Sequence, residues 1–404
     1  MQKNLDKIIF LTSSIFVEEE FLQLGPQLCF ENTTISYLDS LSKKIAKLDN
    51  LREFPDVATF GFFCRKANLI SIRNNSHLVD NEIKVGRGVV FHISPSNVPV
   101  NFAYSFVSGL LTGNLNIVRV PSKPFKQIEM ICNAIDELNQ EPAWEYMRNR
   151  NHFVSYDKHS NATDYFSKLC DVRVIWGGDD SIQHIRKSNI QSKAFDITFA
   201  DRYSISIINS NEYLNFDNKA AITQGFYNDT FLFDQNACTA PHLIIWIGDN
   251  DVSHKAQDVF WNLLHNKVVN EYNIASITGV DKLTNFLSYA SKNGNNVELS
   301  KIDNYIWRVK ISELTKDIEN HRGNSGYFME YLTNEVSDIM KIVNSKYQTL
   351  SYFGFSKFEL NDLVQKHVPK GIDRIVPIGK TTDFSLNWDG YKLVEQLTRT
   401  IDIK

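Results

Sequence analysis

Two short stretches carry residue types that can do chemistry. In "FDQNACTAPH", Phe233 to His242, a small thiol, Cys238, stands among Asp234, Gln235, Asn236 and Thr239, directly before the apolar run "LIIWIG". A cysteine that attacks a carbonyl carbon must do so as the thiolate, which an ordinary thiol of pKa about 8.5 supplies only in part at neutral pH. That attack leaves negative charge on the carbonyl oxygen. The stretch "SPSNVP", Ser94 to Pro99, offers a donor for such an oxygen. Its two prolines fix their own φ and push the preceding residues to extended geometry, so the Asn97 amide sits in a stiff turn. A stiffly held donor aimed at a developing oxyanion contributes about 3–4 kcal/mol in rate. Taken alone, each residue also has a plainer reading: a lone cysteine is commonly a small buried hydrophobe, and a turn asparagine commonly caps its own backbone.

Other chemistries have no footing. The ten histidines form no His-x-x-x-His or His-Glu-x-x-His pattern, so no metal site is expected. Cys29, Cys64, Cys132, Cys170 and Cys238 are scattered, odd in number and free of any Cys-x-x-Cys pair, which argues against disulfides and zinc and for a reducing, cytoplasmic setting. The net charge of −4 is spread over mixed signs, leaving no basic stripe for nucleic acid. Nothing reaches the roughly 18 uninterrupted apolar residues of a membrane span. The opening "MQKNLDKIIFLTSSIFVEEE" is interrupted by Asp6 and closed by Glu18 to Glu20, unlike a secretory leader.

The elements that must position these residues are short β-branched runs between helical patterns. "GVVFHIS" from Gly88, "NIVRV" from Asn116, "VRVIWG" from Val172 and "SISII" from Ser204 read as buried strands, and "PFKQIEMICNAIDELNQ" from Pro124 as a helix with a proline at its start. This is the β-α-β rhythm of a parallel sheet. "HLIIWIG" from His242, "VFWNLLHNKVVNEY" from Val259 and "NYIWRVKI" from Asn304 suggest a second α/β unit. At 404 residues two domains are expected. We read one over residues 1–210 and another over 211–404.

The segment Gly86 to Phe125 resembles the cofactor-domain core of the aldehyde dehydrogenase superfamily, and most closely its LuxC-type acyl-CoA reductases. "VRVIWGGDDSI", "FDQNACTAPH" and "GIDRIVPIG...NWDGYKLVEQLTR" follow in the family's order, to about Arg399. The resemblance implies an aldehyde dehydrogenase-like α/β fold, with a Rossmann-type cofactor domain and a second, catalytic α/β domain. It makes Cys238 the nucleophile and Asn97 the oxyanion donor. It gives cofactor contacts to Ser94, to Arg119, Ser122 and Lys123 in "NIVRVPSKPF", and to the Gly177-Gly178 turn. Gln348 stands where the superfamily has a glutamate on the nicotinamide ribose. A serine with two cations accepts a 2′-phosphate that an acid would repel, so NADPH is preferred, with NADH still open.

One departure sets the direction. Where the superfamily places a water-activating glutamate, this chain has Thr198. Losing a general base slows hydrolysis of an acyl-enzyme by about 10²- to 10⁴-fold. The expected reaction is therefore reduction of an acyl thioester, on CoA or on a protein, to an aldehyde through an acyl-cysteine. An acyl-protein synthetase or acyl carrier protein is the implied partner, and a homo-oligomer is compatible with it. The competing readings are an aldehyde-oxidising dehydrogenase and a silent scaffold of the same fold. His242 is a candidate proton carrier and His92 a core residue. Asp373 and Arg374 are expected to pair and lock a loop, and a helix is expected to be capped by Asp180 or Ser181.

Overall fold

The computed structural model describes residues 8–76, 82–301 and 303–403; the first seven residues, part of the stretch weighed above as a leader, lie outside it. The chain forms two compact units, one running to Ala200 and resuming at Phe384, the other spanning Asp201–Asp383. This corrects the expected division at 210/211 at two places. The strand expected over "SISII" belongs to the second unit, and the last residues return to the first.

In chain order the strands of the first unit are β1 (Ile9–Phe10), β2 (Ile83–Gly86), β3 (Val89–Ile93), β4 (Leu115–Arg119), β5 (Asn151–Ser155), β6 (Val172–Trp176) and β7 (Phe195–Phe199). The second unit has β8 (Tyr203–Asn209), β9 (Pro241–Ile247), β10 (Val297–Lys301), β11 (Trp307–Ile311), β12 (Tyr327–Thr333), β13 (Tyr347–Phe353) and β14 (Arg374–Pro377). Strands β15 (Asn387–Trp388), β16 (Tyr391–Lys392) and β17 (Thr398–Ile401) complete the first unit.

The main sheet of the first unit has the order β1-β5-β4-β3-β6-β7. All its strands are parallel except β1. β3 and β6 are buried along their whole length, as strands covered on both faces must be, which is why they read as mostly apolar runs, interrupted by the buried His92 and Arg173. The helix expected from Pro124 forms over Lys126–Asn139, two residues past the proline. It buries Ile128, Ile131, Ile135 and Leu138 at helical spacing.

A polar chain threads this core. Trp176 Nε1 donates to Ser105 Oγ (3.0 Å), which lies 2.7 Å from His92 Nδ1. His92 Nε2 lies 3.0 Å from Asn116 Oδ1. Asn116 Nδ2 donates to Asn151 Oδ1 (2.8 Å), and Asn151 Nδ2 to the Met147 carbonyl (3.0 Å). Every link is satisfied when each group donates onward, which requires a neutral His92 carrying its proton on Nε2. Burial pushes the His92 pKa down to about 4, consistent with that form. The helix Asn101–Leu111 reaches this close only because residue 109 is glycine: a Cβ there would lie 2.1 Å from Asn116 Oδ1.

The second unit is built on a seven-stranded sheet, β10-β11-β12-β9-β8-β13-β14, parallel except for the β10/β11 pair. The helix Asn250–Glu271 is pinned to it by Glu330, a fully buried carboxylate on β12. Glu330 accepts from Trp246, Gln257, Trp261 and Arg308, so the buried charge is paired and hydrogen-bonded as its desolvation demands.

Candidate active site

The cysteine loop belongs to the second unit. It leaves the helix Lys219–Thr230 through a 3₁₀ turn, Phe231–Phe233, and then places Asp234 and Gln235 in the left-handed region, at φ 53° and 60°. Such backbone costs about 1 kcal/mol or more per residue and persists only when its surroundings enforce it. The enforcement comes from Gln235, 1% exposed. Its Nε2 donates to the carbonyls of Pro241 (3.1 Å) and Tyr327 (3.0 Å). Its Oε1 accepts from the N–H groups of Gly326 (3.0 Å) and Tyr327 (3.1 Å). One side chain thus ties the loop to the start of β9 and the start of β12.

The cysteine itself is tied down from its carbonyl side. Ser204 Oγ donates to the Cys238 carbonyl (2.6 Å) and accepts from the Thr349 N–H (3.2 Å). Both β8/β9 and β8/β13 change register at this point. The neighbour of Thr349, Gln348, is 1% exposed, and its Oε1 is buried without a hydrogen-bond partner.

The thiols divide by environment. Cys64, Cys132 and Cys170 are buried, and burial raises the pKa of all three, that of Cys170 to about 12. Burial likewise pushes Cys29 up to about 12. Cys238 is half-buried, in a polar loop rather than a core. His242 is buried and stacked on Tyr203 at 5.5 Å, and burial together with Arg322 pushes its pKa down to about 3. It is neutral across the physiological range and holds no imidazolium proton to give. Beside the loop lies a polar cavity of about 550 Å³ bounded by Asp234, Asn236, Tyr272, Lys282 and Ser325.

The expected pairing of Asp373 with Arg374 is corrected. Asp373 binds Arg202 at 2.5 Å, while Arg374 donates to the carbonyls of Thr381 (2.9 Å) and Asp383 (3.0 Å). Each locks a loop, through partners distant in sequence that a reading of neighbours does not supply.

In the first unit, strand register gathers the remaining candidates at one edge. Ile93 lies opposite Arg119 on one side and Ile175 on the other, so Ser94, Arg119 and Gly177 leave adjacent strands at their carboxyl ends. β3 and β6 are also where strand order reverses, the position at which open α/β sheets bind ligands. The Ser94 N–H donates to the Arg119 carbonyl (3.2 Å), while Ser94 Oγ and Arg119 Nε are buried without partners. Asn97 is exposed at a bend, one turn before the helix Asn101–Leu111. Ser122 and Lys123 are exposed on the loop that follows.

The Gly177-Gly178 turn differs from expectation in its cap. The next helix, Asp179–Ile185, starts at Asp179, with extended Gly178 at the N-cap and no side-chain cap. Asp179 and Asp180 occupy its first turn, where the helix dipole favours carboxylates, so they need not cap it themselves. A Cβ built on Gly178 meets nothing within 4 Å, so the space above it is open.

Gln235 and Ser204 escaped the sequence reading as site residues. The signal for Gln235 was present, an amide in a polar loop before an apolar strand, but its partners at Gly326 and Tyr327 are 91 and 92 residues away.

The fold is aldehyde dehydrogenase-like: two largely parallel sheets, with a glycine turn at the switch point of the first. The solved structures agree: the chain superimposes on glyceraldehyde-3-phosphate dehydrogenase from Methanocaldococcus jannaschii complexed with NADP with a TM-score of 0.63 at 12% identity, covering 92% of this chain and 88% of that one. It superimposes on lactaldehyde dehydrogenase from Escherichia coli at 0.62 and 11%, covering 91% and 85%. Within that class the sequence is more specific. Residues 69–400 match the acyl-CoA reductase (LuxC) family, and the chain belongs to it. Long-chain acyl-protein thioester reductases from Aliivibrio fischeri and Vibrio harveyi are each 24% identical to it, over 80% and 98% of this chain and 67% and 82% of their own lengths. The chain is accordingly an acyl-thioester reductase, an enzyme that forms aldehydes.

Proposed function

We propose that Cys238 is the acyl acceptor of this reductase, that NADPH is its reductant, and that a long-chain acyl group on a protein or on CoA is its substrate. The observation that carries the reading is the Cys238 loop: a half-exposed thiol on a left-handed turn that four hydrogen bonds to one buried amide hold in place.

The residues at the carboxyl edge of the first unit fit a nicotinamide dinucleotide. Buried Ser94 Oγ and Arg119 Nε lack partners, and Gly178 leaves room for close approach. Arg119, Ser122 and Lys123 would hold the adenosine end with its 2′-phosphate, and Gly177 and Gly178 the pyrophosphate. In the second unit, the unpartnered Gln348 Oε1 would accept from the nicotinamide ribose. When bound, the reduced nicotinamide supplies a hydride.

Cys238 Sγ attacks the thioester carbonyl carbon. A new C–S bond forms, the bond to the donor's sulfur breaks, and the donor leaves as a thiol with the proton that Cys238 gave up. Asn97 Nδ2 and the Cys238 N–H donate to the carbonyl oxygen as it gains charge. The same donors hold the oxygen again when the acyl-cysteine is reduced, after which the thiohemiacetal carbon releases Cys238 as thiolate and the aldehyde departs. Thr198, on β7, has no carboxylate with which to recruit water, so the acyl-cysteine waits for reduction. Five cysteines with no disulfide among them suit a cytoplasmic setting.

Intact-mass measurement after mixing the protein with acyl-CoAs of graded length tests this directly. A mass gain equal to the acyl group is expected in the wild type and none in Cys238→Ala. No gain with any chain length would sink the assignment. Consumption of aldehyde with NADP, and not of acyl-CoA with NADPH, would move it to the oxidising reading.

A further inference from the structure

Arg119 is an arginine in search of an anion. It ends β4, the second strand of the nucleotide-binding order, where an arginine accommodates a 2′-phosphate. Among the described residues it makes no ion pair, and its half-buried side chain leaves Nε without a partner. What holds it is an aromatic ring: its guanidinium carbon lies 4.8 Å from the centroid of Tyr156.

The contact follows from the sheet. Arg119 stands opposite Val154 on β5, and Tyr156 lies two residues further along, on the same face and diagonal to the arginine. Tyr156 is itself immobile. It is 3% exposed, its hydroxyl lies 3.1 Å from Thr163 Oγ1, and its ring packs against Phe166. A guanidinium stacked on a fixed ring keeps its plane, and the plane decides which way its edge N–H groups point. Ser122 and Lys123 are exposed; the Lys123 ammonium lies 5.0 Å from the centroid of Phe125, but it is a point charge with no plane for a ring to fix.

We infer that Tyr156 is a positioning residue for cofactor choice: by fixing the plane of Arg119, it sets the preference for a 2′-phosphorylated nucleotide without touching the nucleotide. This rests on the proposed placement of the dinucleotide at the carboxyl edge of the first unit.

The experiment measures dissociation constants for NADPH and NADH on the full chain, with melting temperatures as a control for folding. Tyr156→Leu removes the ring and is expected to weaken NADPH about tenfold while leaving NADH within about twofold. Tyr156→Phe keeps the ring and is expected to bind both nucleotides like the wild type. Arg119→Lys keeps the charge, loses the plane, and is expected to lose the NADPH preference even if Tyr156→Leu does not fold. Equal weakening of both nucleotides in Tyr156→Leu, or a full NADPH preference in Arg119→Lys, would overturn the inference alone. A wild type that binds neither nucleotide would overturn it together with the placement of the cofactor.

Discussion

The loop around Cys238 and the carboxyl edge around Ser94 and Arg119 treat their polar groups in opposite ways. At the loop, the Gln235 amide is saturated by partners within the protein, and the Cys238 carbonyl is taken by Ser204. At the edge, Ser94 Oγ and Arg119 Nε are buried with no partner at all. An unsatisfied buried polar atom costs about 1–3 kcal/mol, a cost that a ligand removes on binding. The difference separates two tasks. A nucleophile must be in place before substrate arrives, whereas a cofactor site gains affinity from what it leaves undone.

The comparison can be broken first at Gln235. Gln235→Ala strands two N–H groups and two carbonyls and leaves left-handed backbone unsupported. A loss of about 3–5 kcal/mol in denaturant unfolding is expected, with slower acylation of Cys238. Unchanged stability would mean that the loop is held by something else. Asn97→Ala comes next. Asn97 is exposed at its bend, and acylation is expected to slow about 10²- to 10³-fold by rapid-quench mass analysis.

Acidification separates the edge from the relay beneath it. The folded-state pKa of His92 is depressed to about 4 from an ordinary 6.5, so the unfolded chain takes up a proton that the folded chain refuses. Its stabilisation is full above pH 6.5 and is lost as pH falls towards 4. Between pH 7.5 and 5 this amounts to about 2 kcal/mol, and urea midpoints for His92→Gln should be less acid-sensitive than the wild type by that amount. The smallest effect is at Ser204. Ser204→Ala should cost about 1–2 kcal/mol in urea unfolding and slow acylation only mildly, since the Gln235 and Tyr272 bonds to the loop remain.

Legibility followed the range of the interactions. The strands were readable because a parallel strand covered on both faces is mostly apolar, as in "VRVIW" and "HLIIWI", where the polar Arg173 and His242 are the exceptions. Arg119 and the glycine turn were singled out by the family resemblance rather than by local pattern, and each stands at the end of a strand. The saturation of Gln235 was not, since two of its partners arrive with β12. Gly178 at the cap, in place of Asp180 or Ser181, was missed because a carboxylate in the first turn, such as Asp179 or Asp180, satisfies the helix dipole without capping. The boundary of the second unit was misplaced because the return of the chain depends on β17 pairing antiparallel with β2, more than 300 residues earlier.

That pairing bears on how the chain is made. Residues Ile83–Gly86 emerge from the ribosome more than 300 residues ahead of the strand they bond to, Thr398–Ile401. Arg87 likewise waits for the carbonyl of Gln396, and Asn114 for that of Leu397. The second unit, encoded as one uninterrupted block, has all its strands in hand while the first still lacks its closing piece. Translation therefore finishes the second unit before the first.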